Sequence, residues 1–397
     1  MFAAFFRLSL VLRISIGLVV GAVLGLLCPG IYWIGLPGTL FVSALKAIAP
    51  VLVAVLVASS VANAGSNLGP RFRTVIGLYL LSTMLAAVTA VTASFLFPVQ
   101  MELRGAEQME STGGGLQDIF TTLLTNMVSN PLQSVTSANY IGVLFWAVIV
   151  GLALKRVASP QTLQLVTDFS AAMTRVVRWV IQFAPFGILG LVYSSVGESG
   201  IEIFTVYGSL LLVLVGTMLV CALVVNPLIV AVFLRRNPYP LVWQCLRESG
   251  LNAFFTRSSA ANIPINMVLC QRLGLNRDFY SVSIPLGATI NMNGAAVTIT
   301  VMTLAVCHTL CVEVSFVSAL VLSLIATLAA CGASGVAGGS LLLIPIACSL
   351  FGIGSDISMQ AVAVGFIIGV VQDSVETAVN SSADALFTAT AEMYNNK

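Results

Sequence analysis

From Gly365 to Phe387 the chain reads GFIIGVVQDSVETAVNSSADALF, an apolar frame that carries Asp373, Glu376 and Asp384, with Thr377 and Asn380 between them. On an α-helix, Asp373, Thr377, Asn380 and Asp384 follow spacings of four, three and four and share one face, with Glu376 at its edge. One carboxylate at the centre of a bilayer helix costs about 2.5–3.5 kcal/mol on insertion scales. Several in one span are tolerated only where their face lines a polar site. What those carboxylates hold is the question the rest of the chain must answer.

The surroundings are lipid-like. Of 397 residues, 58% are hydrophobic and 8% charged, where a soluble domain has about 25% charged residues. Long apolar runs separated by short polar turns read as an all-α polytopic membrane protein. No basic patch or nucleic-acid motif appears. Cys28, Cys221, Cys245, Cys270, Cys307, Cys311, Cys331 and Cys348 show no metal spacing and read as small core residues. His308, the single histidine, reads as a helix-end residue rather than a ligand. Arg7 and Arg13 precede an apolar run to Cys28 with no small-residue cleavage site, so this run reads as a first transmembrane helix, about Leu8 to Leu27.

A second helix is expected from about Thr39 to Ala64 and a third from about 74 to 97. The loop from Gln100 to Gly115 is mostly acidic, with Glu102, Glu107 and Glu110 against Arg104. Breaks at Asn130-Pro131 and at Ser137 to Asn139 lead into a span ending at Lys155-Arg156. A fifth helix is expected from about Leu163 to Tyr193, and a sixth ends at Arg235-Arg236. Arg7, Arg13, Arg71, Arg73, Lys155, Arg156, Arg235, Arg236, Arg272, Arg277 and Lys397 all fall on one side. The positive-inside rule then puts both termini in the cytoplasm.

The second half is built differently. An apolar stretch from Tyr239 to Leu269 is interrupted by TRSSAANIP (Thr256 to Pro264). Each arm is too short to span, so a hairpin entering and leaving by the cytoplasmic face is expected. A helix from about Tyr280 to Leu310 is broken at PLGATINMNG (Pro285 to Gly294). A second interrupted stretch, Val317 to Phe351, carries ACGASGVAGG (Ala330 to Gly339) and reads as a hairpin from outside. Hairpin then helix, twice and from opposite faces, is an inverted repeat of discontinuous elements and points to a midplane substrate site in a secondary transporter.

Each tip has its own chemistry. Arg257-Ser258-Ser259-Ala260 offers hydroxyls and free N–H groups at a helix start, which attract a carboxylate. A bare packing turn is the plainer alternative. Arg257 is expected to pair with Glu376 or Asp373. The glycine-rich tip suits a mobile lid or close helix packing. Asn291, Met292 and Asn293 bring amides to an unwound turn, and oxygen donors without thiolates or imidazoles suit a hard cation. Asp384 can add charge to such a site, and Asp373 can hold an ammonium. An aspartate-dyad hydrolase is excluded, because Asp373 and Asp384 lie roughly 16 Å apart along one helix.

These motifs resemble the dicarboxylate/amino acid:cation symporter family, and within it the bacterial serine/threonine–sodium symporters. FTRSSAANIP, PLGATINMNG, GASGVAGG and the Asp373–Asp384 face carry the resemblance, which covers nearly the whole chain. It implies eight transmembrane helices with two re-entrant hairpins, assembled as a homotrimer in a bacterial inner membrane. Residues 1–238 would be mostly scaffold, apart from the third helix, and 239–392 the core of a moving transport domain. By the same resemblance, Asp373 takes the substrate amino group. Ser258, Ser259, Val336 and Asn380 meet its carboxylate, and Glu376 and Thr377 complete the pocket. One sodium site would use Asp384 with carbonyls of Gly287, Asn291 and Asn380. A second would use Thr289, Ala330, Cys331 and Ala333, and a third Tyr79, Ser82, Thr83 and Asn291, with Asn293 beside it.

Four positions depart from the acidic-substrate members: Glu376 stands for an Arg, Asn293 for an Asp, Ala260 for a third Ser and Ala295 for a Thr. The reading is therefore sodium-coupled import of small neutral amino acids, chiefly serine and threonine, with a weak or empty third sodium site. A symporter of acidic amino acids or C4-dicarboxylates and an amino-acid-gated anion channel are the alternatives.

Overall fold

The computed structural model describes residues 8, 10–63, 70–103, 121, 124–333 and 338–395. Among these, the α-helices are α1 Leu10–Leu27, α2 Tyr32–Asn63, α3 Pro70–Leu96, α4 Pro131–Thr136, α5 Tyr140–Val157, α6 Pro160–Gln182, α7 Ala184–Ser199 and α8 Ile203–Leu234. They continue as α9 Tyr239–Cys245, α10 Leu251–Thr256, α11 Ser259–Arg272, α12 Arg277–Ile290, α13 Asn293–Thr309, α14 Phe316–Ala330, α15 Ile344–Ser349 and α16 Ser355–Asn395. Six stretches are long and apolar enough to cross a membrane, seven if α6 and α7 form one bent span. The chain is a multi-pass membrane protein.

Helix boundaries differ from the sequence expectation where local chemistry decides them. The second helix starts at Tyr32, with Pro37 inside it, so the expected linker is shorter. The expected fifth helix is two, bent by 52° between Gln182 and Ala184. Pro185 is the cause: it lacks an N–H and its ring crowds the preceding turn. The interruption in the first hairpin narrows to Arg257, which is left-handed at φ 52°, and Ser258, which is extended. Ser258 Oγ then accepts Ala261 N at 3.2 Å and caps α11. The break in the next helix falls at Asn291–Met292, where the Asn291 side chain is bonded to Asp384. In the second hairpin, 334–337 lie outside the described residues, as does most of the acidic loop after Leu103.

Two groups of helices pack together. α2 packs extensively on α5, α6 and α7, and α1 lies along α7. Along α1, Gly17, Gly21 and Gly25 recur every fourth residue against α7; a Cβ at Gly21 would stand 2.5 Å from the Leu189 carbonyl oxygen. Only glycine lets the two backbones approach this closely. The second group is α3 with α8 to α16, centred on α16. The sequence expectation puts the sixth helix, α8, in the first group, whereas its contacts are chiefly with α3, α13 and α16. The first hairpin (α9 to α11) packs on α16 and α12, and the second (α14, α15) on α13, α16 and α3. Both helix pairs thus pack against the broken α12–α13 pair and α16. The apolar window of the α12–α13 pair is 94% buried within the protein, against 33% for α8, so the broken helix is central and α8 peripheral.

Candidate substrate and cation site

Both hairpin tips converge on Asp373, midway along α16. From the first tip, Arg257 Nε donates to Asp373 Oδ2 at 2.6 Å; from the second, Gly338 N donates to Oδ1 at 3.1 Å. Arg257 Nη2 also donates to Gly369 O at 3.3 Å. Of the two partners expected for Arg257, the structure selects Asp373. Both side chains are buried, so each charge offsets the other's desolvation, and removing either one would leave a costly unpaired charge. The space beside them is about 10 Å³, room for roughly one water.

The remaining substrate candidates surround this point. Thr377 Oγ1 donates to Asp373 O at 2.7 Å, which leaves its lone pairs. Asn380 Oδ1 accepts Gly294 N at 2.7 Å and so caps the start of α13. Among the described residues its Nδ2 reaches the Met292 sulfur at 3.5 Å, a weak acceptor, and can give it up to a carboxylate. Ser259 is buried beside the tip, and Val336 lies outside the described residues. Glu376 has a separate neutral nest: Thr298 Oγ1 at 2.7 Å, Ser340 Oγ at 2.8 Å and Gln372 Nε2 at 2.5 Å all donate to its Oε2. Sequence reasoning missed these three donors. Only Gln372, one turn before Glu376 on the same helix, was findable from spacing.

Asp384 is fully buried on the same helix. Asn291 Nδ2 donates to its Oδ1 at 2.9 Å, and among the described residues nothing reaches Oδ2. A Cβ added to Gly287 would meet Asp384 Oδ1 at 2.9 Å, so that stretch of α12 is against the carboxylate. Asn291 Nδ2 also reaches Asn380 O at 3.4 Å. The structure thus brings Asp384, Gly287, Asn291 and Asn380 together, with one carboxylate oxygen lacking a donor. An unmatched buried anion is costly, and a cation offsets that cost.

Next to it, Ser82 Oγ lies 3.2 Å from Asn291 Oδ1 and 3.1 Å from Asn293 Oδ1, and Thr83 Oγ1 lies 3.1 Å from Asn293 Oδ1. Both hydroxyls also reach Tyr79 O, at 3.0 and 2.8 Å. The expected third-site residues are therefore assembled. One partner was missed: Asn226 of α8, whose Oδ1 accepts Asn293 Nδ2 at 3.1 Å. Of the expected second-site residues, Thr289, Cys331 and Ala333 line one cavity of about 670 Å³ whose opposite wall is α6, with Gln164, Thr167 and Thr174. Ala330 is buried just behind Cys331.

The first hairpin is tied to α16 by amides. Asn262 Nδ2 donates to Ser381 Oγ at 2.7 Å and Asn266 Nδ2 to Ser381 O at 3.0 Å. This holds the tip in register with Asp373.

Residues 10–393 match the sodium:dicarboxylate symporter family. The chain belongs to that family. It is 58% identical over 386 residues to the serine/threonine transporter SstT of Bifidobacterium adolescentis, covering 97% of this chain and 90% of the relative. It is 54% identical over 391 residues to SstT of Streptococcus thermophilus, with 98% and 97% covered. SstT of Streptococcus agalactiae is 54% identical over 387 residues, with 97% and 96% covered. As a member of this family the protein is a membrane transporter and not an enzyme.

Proposed function

We propose that this protein imports L-serine and L-threonine with sodium by alternating access, in a bacterial inner membrane with both termini cytoplasmic. The observation that carries the proposal is the meeting of both hairpin tips on Asp373, one turn from Thr377 and two from Asn380. A carboxylate there takes the substrate ammonium, which must share or displace the Arg257 guanidinium. The Ser258–Ser259 helix start and Asn380 Nδ2 take the substrate carboxylate. Because the tips close over Asp373, one tip opens to each side in turn. The names and high identity of the relatives support the substrate class.

Sodium enters as cargo. Asp384 Oδ2, buried without a donor, favours one ion beside Gly287, Asn291 and Asn380. A second ion would sit by Thr289, Ala330, Cys331 and Ala333, bordering the large cavity. In this proposal the α1, α2, α5, α6 and α7 group is the fixed scaffold and trimer contact, and α3 with α8 to α16 is the moving body. α1, α2, α3, α5, the α6–α7 pair, α8, the α12–α13 pair and α16 make eight spans, and the hairpins are re-entrant.

Charge selectivity follows from Glu376. An acidic substrate needs a cation for its second carboxylate; here a carboxyl group with neutral donors occupies that position, and a bidentate Arg pair is lost. Excess aspartate or glutamate is expected to compete poorly with labelled serine in proteoliposomes, while unlabelled threonine competes well. Aspartate competing as strongly as serine would contradict the neutral-substrate reading.

A further inference from the structure

The oxygens around Ser82 and Thr83 outnumber the protons available to them. Tyr79 O, Ser82 Oγ, Thr83 Oγ1, Asn291 Oδ1 and Asn293 Oδ1 are linked by contacts of 2.8 to 3.2 Å. Each hydroxyl has a single proton to donate. Both amide nitrogens are turned away: Asn291 Nδ2 to Asp384 and Asn380, and Asn293 Nδ2 to Asn226. Apart from the helical N–H that already bonds Tyr79 O, the five oxygens share two protons in a fully buried place. An acceptor-rich, proton-poor cage of carbonyl, amide and hydroxyl oxygens is the donor set of a hard cation.

That character depends on which end of the Asn293 amide faces inward. With its oxygen inward the cage is short of protons. With its NH2 inward, two more protons would point at Ser82 and Thr83 and oppose a cation. An Asp at this position would not face this choice, because both its oxygens are acceptors. Asn226 is the only described residue that accepts from Asn293 Nδ2. It is also placed unusually. α8 is largely peripheral, yet Asn226 is 3% exposed and follows directly on a π turn at Cys221–Val225, an insertion that reorients the next residue.

We infer that Asn226 is a positioning residue for sodium: by accepting Asn293 Nδ2 it holds the Asn293 oxygen in the cage and makes that neutral cage a low-affinity sodium site. The inference rests on the sodium coupling proposed above. It adds a residue on α8, outside the hairpins and α16, to the determinants of coupling.

The test compares Asn226→Leu, which removes the acceptor, with Asn226→Asp, which keeps an acceptor only, and with the double variant Asn226→Leu/Asn293→Asp, which needs no orientation. Two readouts are used on the full chain: the sodium-dependent rise in Tm of the detergent-purified protein against choline, and the sodium dependence of serine uptake in proteoliposomes. In Asn226→Leu, half-saturating sodium is expected to rise about tenfold in both, the upper end of what one lost neutral hydrogen bond contributes. Asn226→Asp is expected to stay near wild type, and the double variant to recover. Because Asn293→Asp also adds a negative charge, the double variant is read against Asn293→Asp alone: equal sodium dependence in the two is the expected recovery, whereas a merely structural role for Asn226 would weaken sodium binding by the same factor in both backgrounds. Wild-type sodium dependence in Asn226→Leu, or no recovery in the double variant, overturns the inference. A wild-type protein whose Tm and uptake ignore sodium overturns the coupling itself, and the inference with it.

Discussion

Asp373→Asn is expected to abolish serine uptake. The substitution removes the counter-charge for the substrate ammonium and strands the buried Arg257 guanidinium, which loses its 2.6 Å bond to Oδ2. Breaking one side of a buried pair costs about 3–5 kcal/mol, enough to threaten folding as well as binding. Asp373→Asn/Arg257→Met separates the two effects, because it removes the unmatched charge. That double variant is expected to purify with near wild-type Tm and still to take up no serine. Serine transport by the stable double variant would remove Asp373 from the ammonium site.

Asp384→Asn is expected to act on sodium rather than on serine recognition. Its unmatched Oδ2 supplies the formal negative charge in the nest of Gly287, Asn291 and Asn380. A sodium ion leaving water for neutral oxygens alone lacks the compensating charge. Half-saturating sodium for uptake should rise by at least tenfold, a change of ~1.4 kcal/mol, or uptake should stop. Where uptake stops, the sodium-dependent rise in Tm of the purified variant gives the same reading. An unchanged sodium dependence would take Asp384 out of the cation site.

Spacing alone exposed the polar face of α16, because a helix fixes which residues share a side and a membrane makes charges there conspicuous. The helix breaks at Arg257–Ser258 and after Ala330 were equally legible from short apolar arms and polar tips. What spacing could not show is which distant partner each polar group finds. Arg257 chose Asp373, and Glu376 was left with Thr298, Ser340 and Gln372, through contacts that bridge separate elements. Asn226 carries no signal in spacing, being a lone amide in an apolar helix; only the packing of α8 against α13 puts it behind Asn293. The α6–α7 bend was readable in principle from Ala184-Pro185, since proline breaks the ladder locally.

Serine uptake into proteoliposomes under an inward sodium gradient, set against the same vesicles with sodium replaced by choline, tests sodium-coupled import most directly. Each net positive charge carried inward gains about 2.3 kcal/mol per 100 mV, so sodium moving with a zwitterion accumulates it when the interior is negative. The predicted result is accumulation of labelled serine above the external concentration with sodium only, increased by an inside-negative potential and lost when an ionophore collapses the sodium gradient. Equal serine entry without sodium, or a serine-evoked anion current with no accumulation, would contradict it.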